Sequence, residues 1–358
     1  MALQKKTLAD QLAKIKETFS SSTIYKPEEY YSCGEIFHKA CGVPGPIMGH
    51  INMNLGHSNS SKTTAMILAA KNAQSIGHLP VFIITEKKWS WKYATNLGLE
   101  ATKREDGSWD GHFIFNDSFR YIEEVTDFIN KLITEQEKGN LPYSLLFCWD
   151  SVGSIPCKMS FEGAGGSMHD ARVLADKIGK GLSGRITASK KADYPYYNTL
   201  LVINQPWVAT GDNIYDPPEI KAKGGEAMWL ASALVFLFGK QKKSGISQIS
   251  ATKNARKVVF AIRTKISVIK NHVNGMQFQD GKVIVTPHGY IEDSTKSLEE
   301  YKKKYSSYWK EILEGDGEIT LTDSTDYIEN IAKISDDVSD YSNVFPDDSE
   351  DSDENMFD

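Results

Sequence analysis

The stretch Gly56-His57-Ser58-Asn59-Ser60-Ser61-Lys62-Thr63 decides how the rest of the chain is read. It follows the alternating run His50-Ile51-Asn52-Met53-Asn54-Leu55 and precedes the apolar run Thr64-Ala65-Met66-Ile67-Leu68-Ala69-Ala70. Strand, tight polar loop and apolar helix in that order are the setting in which a loop binds phosphate. Successive backbone N–H groups converge on phosphate oxygens, and the helix N-terminus adds partial positive charge. In the pattern G-x-x-x-x-G-K-[ST] the lysine reaches the β and γ phosphates and the hydroxyl holds Mg²⁺. Lys62 and Thr63 occupy those two positions, whereas Ser61 stands where the second glycine belongs. A Ser/Gly turn before a helix is the plainer reading of this stretch alone, so the remainder of the chain has to decide.

A chain of 358 residues has room for one large domain and a smaller one. Hydrophobic residues at 40% and charged residues at 25% describe an ordinary soluble composition. No apolar run is long enough to span a bilayer and Met1-Ala2-Leu3-Gln4-Lys5-Lys6 does not open a signal peptide, so a cytoplasmic protein with no membrane partner is expected. Cys33, Cys41, Cys148 and Cys157 form no C-x-x-C pair and read as buried free thiols, and the histidines show no metal-ligand spacing.

The net charge of −6 conceals an asymmetry. Ten acidic residues and no Lys or Arg lie between Asp336 and Asp358, which leaves the remainder at +4. Conversely, no Asp or Glu occurs between Glu226 and Asp280, an interval holding Lys240, Lys242, Lys243, Lys253, Arg256, Lys257, Arg263, Lys265 and Lys270. A basic body with an acidic tail suggests a polyanion partner whose access the tail competes for; solvated loops beside a disordered tail are the alternative.

Along the chain, residues 5–19 place Leu8, Leu12, Ile15 and Phe19 on one helical face. After a helix at 63–75, the apolar run Leu79–Ile84 suits a parallel strand buried on both faces, and it leads to Glu86. Ligands of open α/β sheets gather at the carboxyl ends of strands, so Glu86 is expected near phosphate, where it could orient water. Trp89, Trp91 and Tyr93 begin the next helical stretch, and 118–138 is helical in pattern. Leu145–Asp150 is another apolar strand ending on an acid, as in a Walker B strand whose Asp150 holds the Mg²⁺ shell.

A Gly-rich segment, Phe161 to Ser167, precedes a helix with Arg172, Lys177 and Lys180, and the strand Thr199–Asn204 ends at Gln205. Pro206 to Gly225 reads as a long structureless loop with Trp207, Ile214 and Tyr215, apolar and aromatic tips that suit base stacking. Strands at 234–238, 258–262 and 282–285 follow, the first two separated by a polar hairpin at 239–256. Residues 295–313 look helical, with Tyr301, Tyr305, Tyr308 and Trp309 as packing residues, and the tail from Asp336 is expected to be disordered.

This succession resembles the RecA recombinases from about residue 5 to 285, most densely at Gly45–Glu100. The departures at the phosphate loop look most like the family's phage UvsX-type branch. The resemblance implies a RecA-like P-loop ATPase core, α/β with a central, mainly parallel sheet, at 35–288. It also implies a polymerisation arm at 1–34, a small helical region at 289–334 and a disordered acidic tail at 335–358.

Site roles follow from the resemblance residue by residue. Gly56, His57, Ser58, Asn59, Ser60, Ser61, Lys62, Thr63 and Thr64 would bind ATP, with Thr63 and Asp150 at Mg²⁺. Glu86 matches the catalytic glutamate, Tyr93 the ring that stacks on adenine, and Gln205 the sensor of the γ-phosphate. Arg263 and Lys265 match cations that complete the neighbouring subunit's site. Gly165, Gly166, Ser167, Met168 and Arg172 would serve the first DNA loop (161–170 and its helix), and Trp207, Ile214, Tyr215, Gly224 and Gly225 the second (206–225). Trp229 stands at an interface aromatic, whereas Met228 replaces the interface lysine of the bacterial proteins.

The function implied is an ATP-dependent recombinase that forms a helical filament of its own copies on single-stranded DNA and pairs it with a duplex. Single-strand-binding and mediator proteins are further partners the resemblance suggests. A hexameric helicase, a recombination mediator, or a DNA-binding filament protein with a vestigial ATPase are the alternatives.

Overall fold

The computed structural model describes residues 12, 14–16, 24–25, 28–186, 189–190, 195–209, 219–239, 246–253, 256–276, 280–308 and 319–321. Ile214, Tyr215, Trp309, the acidic segment and most of the N-terminal helix expected at 5–19 lie outside the described residues. Within that helix Leu12 and Lys14 to Lys16 are helical, with Leu12 and Ile15 exposed.

The sheet grows from β1 (Ile51–Gly56), whose alternation sends Ile51, Met53 and Leu55 into one core. Asn52 and Asn54 point to the other face, buried but hydrogen-bonded. Asn52 is tied to both the N–H and the carbonyl of Ile47 at 3.0 and 2.9 Å. Asn54 donates to the Lys62 carbonyl at 3.2 Å, fixing where the next helix begins. Buried amides with partners cost little and specify register.

Helix α1 (Glu35–Cys41) precedes β1, and α2 (Lys62–Ser75) follows it. Then come β2 (Leu79–Ile84), α3 (Trp91–Asn96), β3 (Ile114–Asn116), α4 (Ile122–Glu137) and β4 (Leu145–Asp150). Helix α5 (Ser167–Leu174) runs on into a π-helical stretch, Ala175–Leu182, before β5 (Asn198–Asn204). A ribbon of β6 (Pro206–Ala209) and β7 (Glu219–Ala222) leads to α6 (Gly225–Ala231) and β8 (Ser232–Phe238). Then follow β9 (Ile246–Lys253), β10 (Arg256–Asn271), β11 (Gly281–Thr286), β12 (Gly289–Glu292) and α7 (Thr295–Lys304), before a short strand, Ile319–Leu321, that pairs with β9.

The central sheet runs β12-β11-β10-β8-β1-β5-β4-β2-β3, with β9 on β10. From β8 to β3 every neighbour is parallel, and beyond β8 pairing turns antiparallel. The parallel strands β2, β4 and β5 are buried along their whole length, as their unbroken apolar runs require. Helices cover both faces: Ala65, Met66, Ala69 and Ala73 of α2 enter one core, and Val125, Ile129 and Ile133 of α4 the other. The α/β fold with a mainly parallel sheet is as expected, and all four cysteines are buried and free.

Three local expectations are corrected. The stretch 206–225 is not wholly structureless, since β6 and β7 pair antiparallel from Pro206↔Ala222 to Ala209↔Glu219. The polar hairpin contains β9, whose Ile249 is buried against β10 among hydroxyl and amide residues that masked the alternation. Strand β10 does not end at Ile262 but continues to Asn271. Its buried Thr264, Ile266 and Val268 keep the period of two while Arg263 and Lys265 interrupt the apolar run.

Candidate functional site

The carboxyl ends of β1, β2, β4 and β5 open onto a cavity of about 570 Å³. Its walls include Ser58 to Thr64, Glu86, Tyr93, Asp150 and Gln205, so the sequence-predicted loop and the ends of three other strands meet in one place. Gly56 leaves β1 where a Cβ would lie 2.6 Å from the Phe238 carbonyl oxygen of β8, too close for any side chain. Asn59 and Ser61 take left-handed backbone angles, φ 59° and 76°. For a serine that conformation costs roughly 1–2 kcal/mol, which explains why glycine is the usual residue there.

Lys62 begins α2 and is almost fully buried. Its ammonium donates to the His57 carbonyl at 2.6 Å and to Ser60 Oγ at 3.3 Å, so the loop closes around its own cation. Burial lowers its pKa to about 8 against the opposing pull of Asp150 and Glu86. Thr63 Oγ1 donates to Asp150 Oδ2 at 2.8 Å, joining two oxygen groups 87 positions apart in the chain. Burial pushes the Asp150 carboxyl up to about 6, with the Thr63 bond acting in the other direction. A hydroxyl beside a carboxylate is a hard-oxygen pair that fits Mg²⁺, which ordinarily takes few protein ligands and completes its shell with phosphate and water. Among the described residues no group of three or more His, Cys, Asp or Glu side chains could hold a metal alone.

Glu86 follows β2 and is oriented by Ser151, whose Oγ donates to Oε1 at 2.8 Å. The Asp150–Ser151 peptide bond is cis. Tyr93, on α3, bonds its hydroxyl to Thr64 Oγ1 at 2.7 Å. Burial raises the Tyr93 pKa, so it remains a neutral phenol. Gln205 sits at the mouth of the β6–β7 ribbon. Asn204, fully buried, accepts from the Gln205 N–H and donates to the Lys223 carbonyl, each at 2.8 Å, clamping the two ends of the ribbon together.

A smaller cavity of about 280 Å³ shares Glu86, Lys88 and Gln205 with the first and adds Ser151, Ser154 and Lys223. Lys88 and Lys223 escaped the sequence reading; Lys88 stands two residues beyond the strand's glutamate, a position that could have signalled it. The far wall of the main cavity comes from Gln248, Phe260, Ile262, Val285 and Pro287, across the antiparallel half of the sheet. Local motif reading had no access to that wall.

Other predicted residues lie elsewhere. Arg263 is paired with Asp293 at 2.6 Å and Lys265 with Asp280, so both cations are held by acids of their own chain outside this cavity. Gly165 and Gly166 precede α5, which exposes Met168 and Arg172. Gly224, φ 90°, packs against Leu174 so closely that the root of the 206–225 segment rests on the helix of the 161–170 segment. Trp207 lies in β6 and Gly225 opens α6.

No protein-family model matches the chain. It is similar to the RecA protein of Campylobacter fetus, 25% identical over 281 residues that cover 75% of this chain and 72% of the relative. The RecA protein of a Nocardioides species is 25% identical over 282 residues, 75% and 70% of the two chains. That of Colwellia psychrerythraea is 26% identical over 283 residues, 75% and 71%. No helix among the described residues is long and apolar enough to cross a membrane. Similarity across three quarters of the chain, joined to an α/β core of mainly parallel strands, supports kinship with the RecA proteins.

Proposed function

We propose that this chain is an ATP-dependent DNA recombinase of the RecA kind, resembling the phage UvsX type. It would filament on single-stranded DNA in a cytoplasm, that of the host if phage-encoded. The observation that carries this is the convergence of Lys62, Thr63, Glu86, Asp150 and Gln205 on one cavity, in a chain similar to RecA proteins.

Each residue then has a task. Lys62 exchanges the His57 carbonyl for phosphate oxygen, an exchange that favours its charged form. The N–H groups from His57 to Thr64 form a concave anion site at the start of α2. Thr63 and Asp150 would hold Mg²⁺, which would supply neutralisation of phosphate charge. Glu86, aimed by Ser151, orients the attacking water and takes up its proton. Tyr93 presents its ring to the base.

Gln205 reports the γ-phosphate to the 206–225 segment through the clamp at Asn204, and so sets the hold on DNA. Gly165 to Met168, Arg172, Trp207, Ile214, Tyr215, Gly224 and Gly225 form the DNA surface. Arg263 and Lys265 leave Asp293 and Asp280 to complete the neighbouring subunit's site, and residues 1–34 are the arm that links subunits. The 289–334 region flanks the core and the acidic tail competes with DNA.

Electron microscopy with single-stranded DNA and a non-hydrolysable ATP analogue tests the assembly. Helical filaments are expected; closed rings would favour a hexameric helicase instead.

A further inference from the structure

We propose that Tyr290 is a positioning residue of the nucleotide site, its phenol holding Ser61 in the left-handed conformation that the phosphate loop requires. This rests on the nucleotide-binding reading above.

Ser61 is nearly buried and has φ 76° at the N-cap of α2. A serine at an N-cap ordinarily turns its hydroxyl onto the helix's free N–H groups. Here there is no such bond. Tyr290 Oη instead lies 3.2 Å from the Ser61 carbonyl, to which it donates, and 3.4 Å from Ser61 Oγ. The tyrosine reaches the loop from 229 positions away, and burial holds its phenol protonated, its pKa pushed well above the ordinary range.

The phenol's own place is fixed on several sides. Strand β12 pairs Tyr290 with Val285 of β11, and the tight turn between them is closed by Thr286 Oγ1 donating to the Gly289 carbonyl at 2.9 Å. Phe37 of α1 packs on the ring with centroids 5.8 Å apart. Val285, Thr286 and Pro287 of the same hairpin line the main cavity. One hairpin therefore both walls the site and secures the loop.

The Ser61 carbonyl has a second donor, the Ala65 N–H at 3.1 Å, which is the first helical bond of α2. Removing the phenol would therefore leave no orphaned acceptor and would leave the helix intact. What it removes is the restraint on Ser61. Freed, a serine relaxes toward right-handed backbone angles. The loop N–H groups on its N-terminal side, from His57 to Ser61, then spend part of their time turned away from the phosphate. The loss falls on nucleotide affinity. Glycine enters the left-handed region unaided, so a glycine at 61 would not need the restraint. Ser61 and Tyr290 are on this view one device, in which a tyrosine across the sheet compensates for a missing glycine.

The test is a double-mutant cycle on the full-length chain with Tyr290→Phe, Ser61→Gly and the two combined. It measures binding of a fluorescent ATP analogue without DNA and steady-state ATPase with single-stranded DNA. Tyr290→Phe is expected to weaken binding and raise KM by roughly two- to tenfold, the loss of one hydrogen bond, with the effect on KM rather than kcat. Ser61→Gly should bind at least as tightly as the wild type, and adding Tyr290→Phe to it should cost nothing further. An equal loss in both backgrounds, or no loss from Tyr290→Phe alone, overturns the proposal. Thermal unfolding of all four chains separates a general loss of stability, which is common to both backgrounds, from the coupling. A wild-type chain that binds no nucleotide would instead sink the functional reading itself, whereas binding without coupling would remove only the role of Tyr290.

Discussion

Lys62 and Asp150 are shifted in opposite directions by the same cause, and together they define a pH window. Burial pushes Asp150 up to about 6, so its carboxylate is fully available to a cation only above that pH. Burial also lowers Lys62 to about 8, so its ammonium is lost as pH rises through that value unless phosphate is bound. Affinity for Mg–nucleotide should therefore plateau between about 6 and 8 and fall on both sides. A titration with a fluorescent analogue checks this, and a flat profile from pH 5 to 9 would contradict it. Lys62→Ala should abolish ATP turnover while the far-ultraviolet circular dichroism stays that of the wild type. Gly56→Ala should destabilise the fold by about 1–3 kcal/mol, because its Cβ would meet backbone 2.6 Å away. Gly166→Ala, with nothing within 4 Å of its Cβ, should leave the thermal midpoint unchanged. At this scale the sequence is legible where chemistry is local: Glu86, Asp150 and Gln205 lie at or just past the ends of readable strands, and Lys62 and Thr63 open the helix that follows one. Tyr290 and Lys223 reach the site only through the fold, and no spacing announces them.

At the scale of elements, the parallel strands are readable because burial on both faces demands unbroken apolar runs, and β2, β4 and β5 satisfy it. The antiparallel half is harder to read. Strand β10 carries Arg263 and Lys265 on one face while Thr264 and Ile266 are buried on the other, so an apolar run is the wrong template for it. The β6–β7 ribbon is held at its root by side-chain amide bonds and by Ala222, which is buried in the core. Asn204 ties the Gln205 N–H to the Lys223 carbonyl, and this clamp is the element that would pass nucleotide state to DNA. Asn204→Ala should therefore lower the stimulation of ATPase by DNA severalfold while nucleotide binding without DNA changes much less. Equal losses in the two assays would mean that Asn204 only supports the sheet.

For the whole molecule, the proposed function makes the charge distribution the control on access to DNA. The segment from Asp336 to Asp358 holds ten acidic residues, and the rest of the chain is positive. Deleting 336–358 should tighten single-stranded DNA binding, most strongly at low salt where unscreened charges act furthest. A truncated chain that bound no better would show that the tail does not compete. The central claim is that one cavity, built at the ends of parallel strands, hydrolyses ATP in response to DNA. The most direct test measures ATP turnover with and without single-stranded DNA, for the wild-type chain and for Glu86→Gln. Turnover should rise manyfold with DNA in the wild type and be lost in Glu86→Gln, which should still bind nucleotide. Wild-type turnover that DNA leaves unchanged, or a Glu86→Gln chain as active as the wild type, would contradict the account.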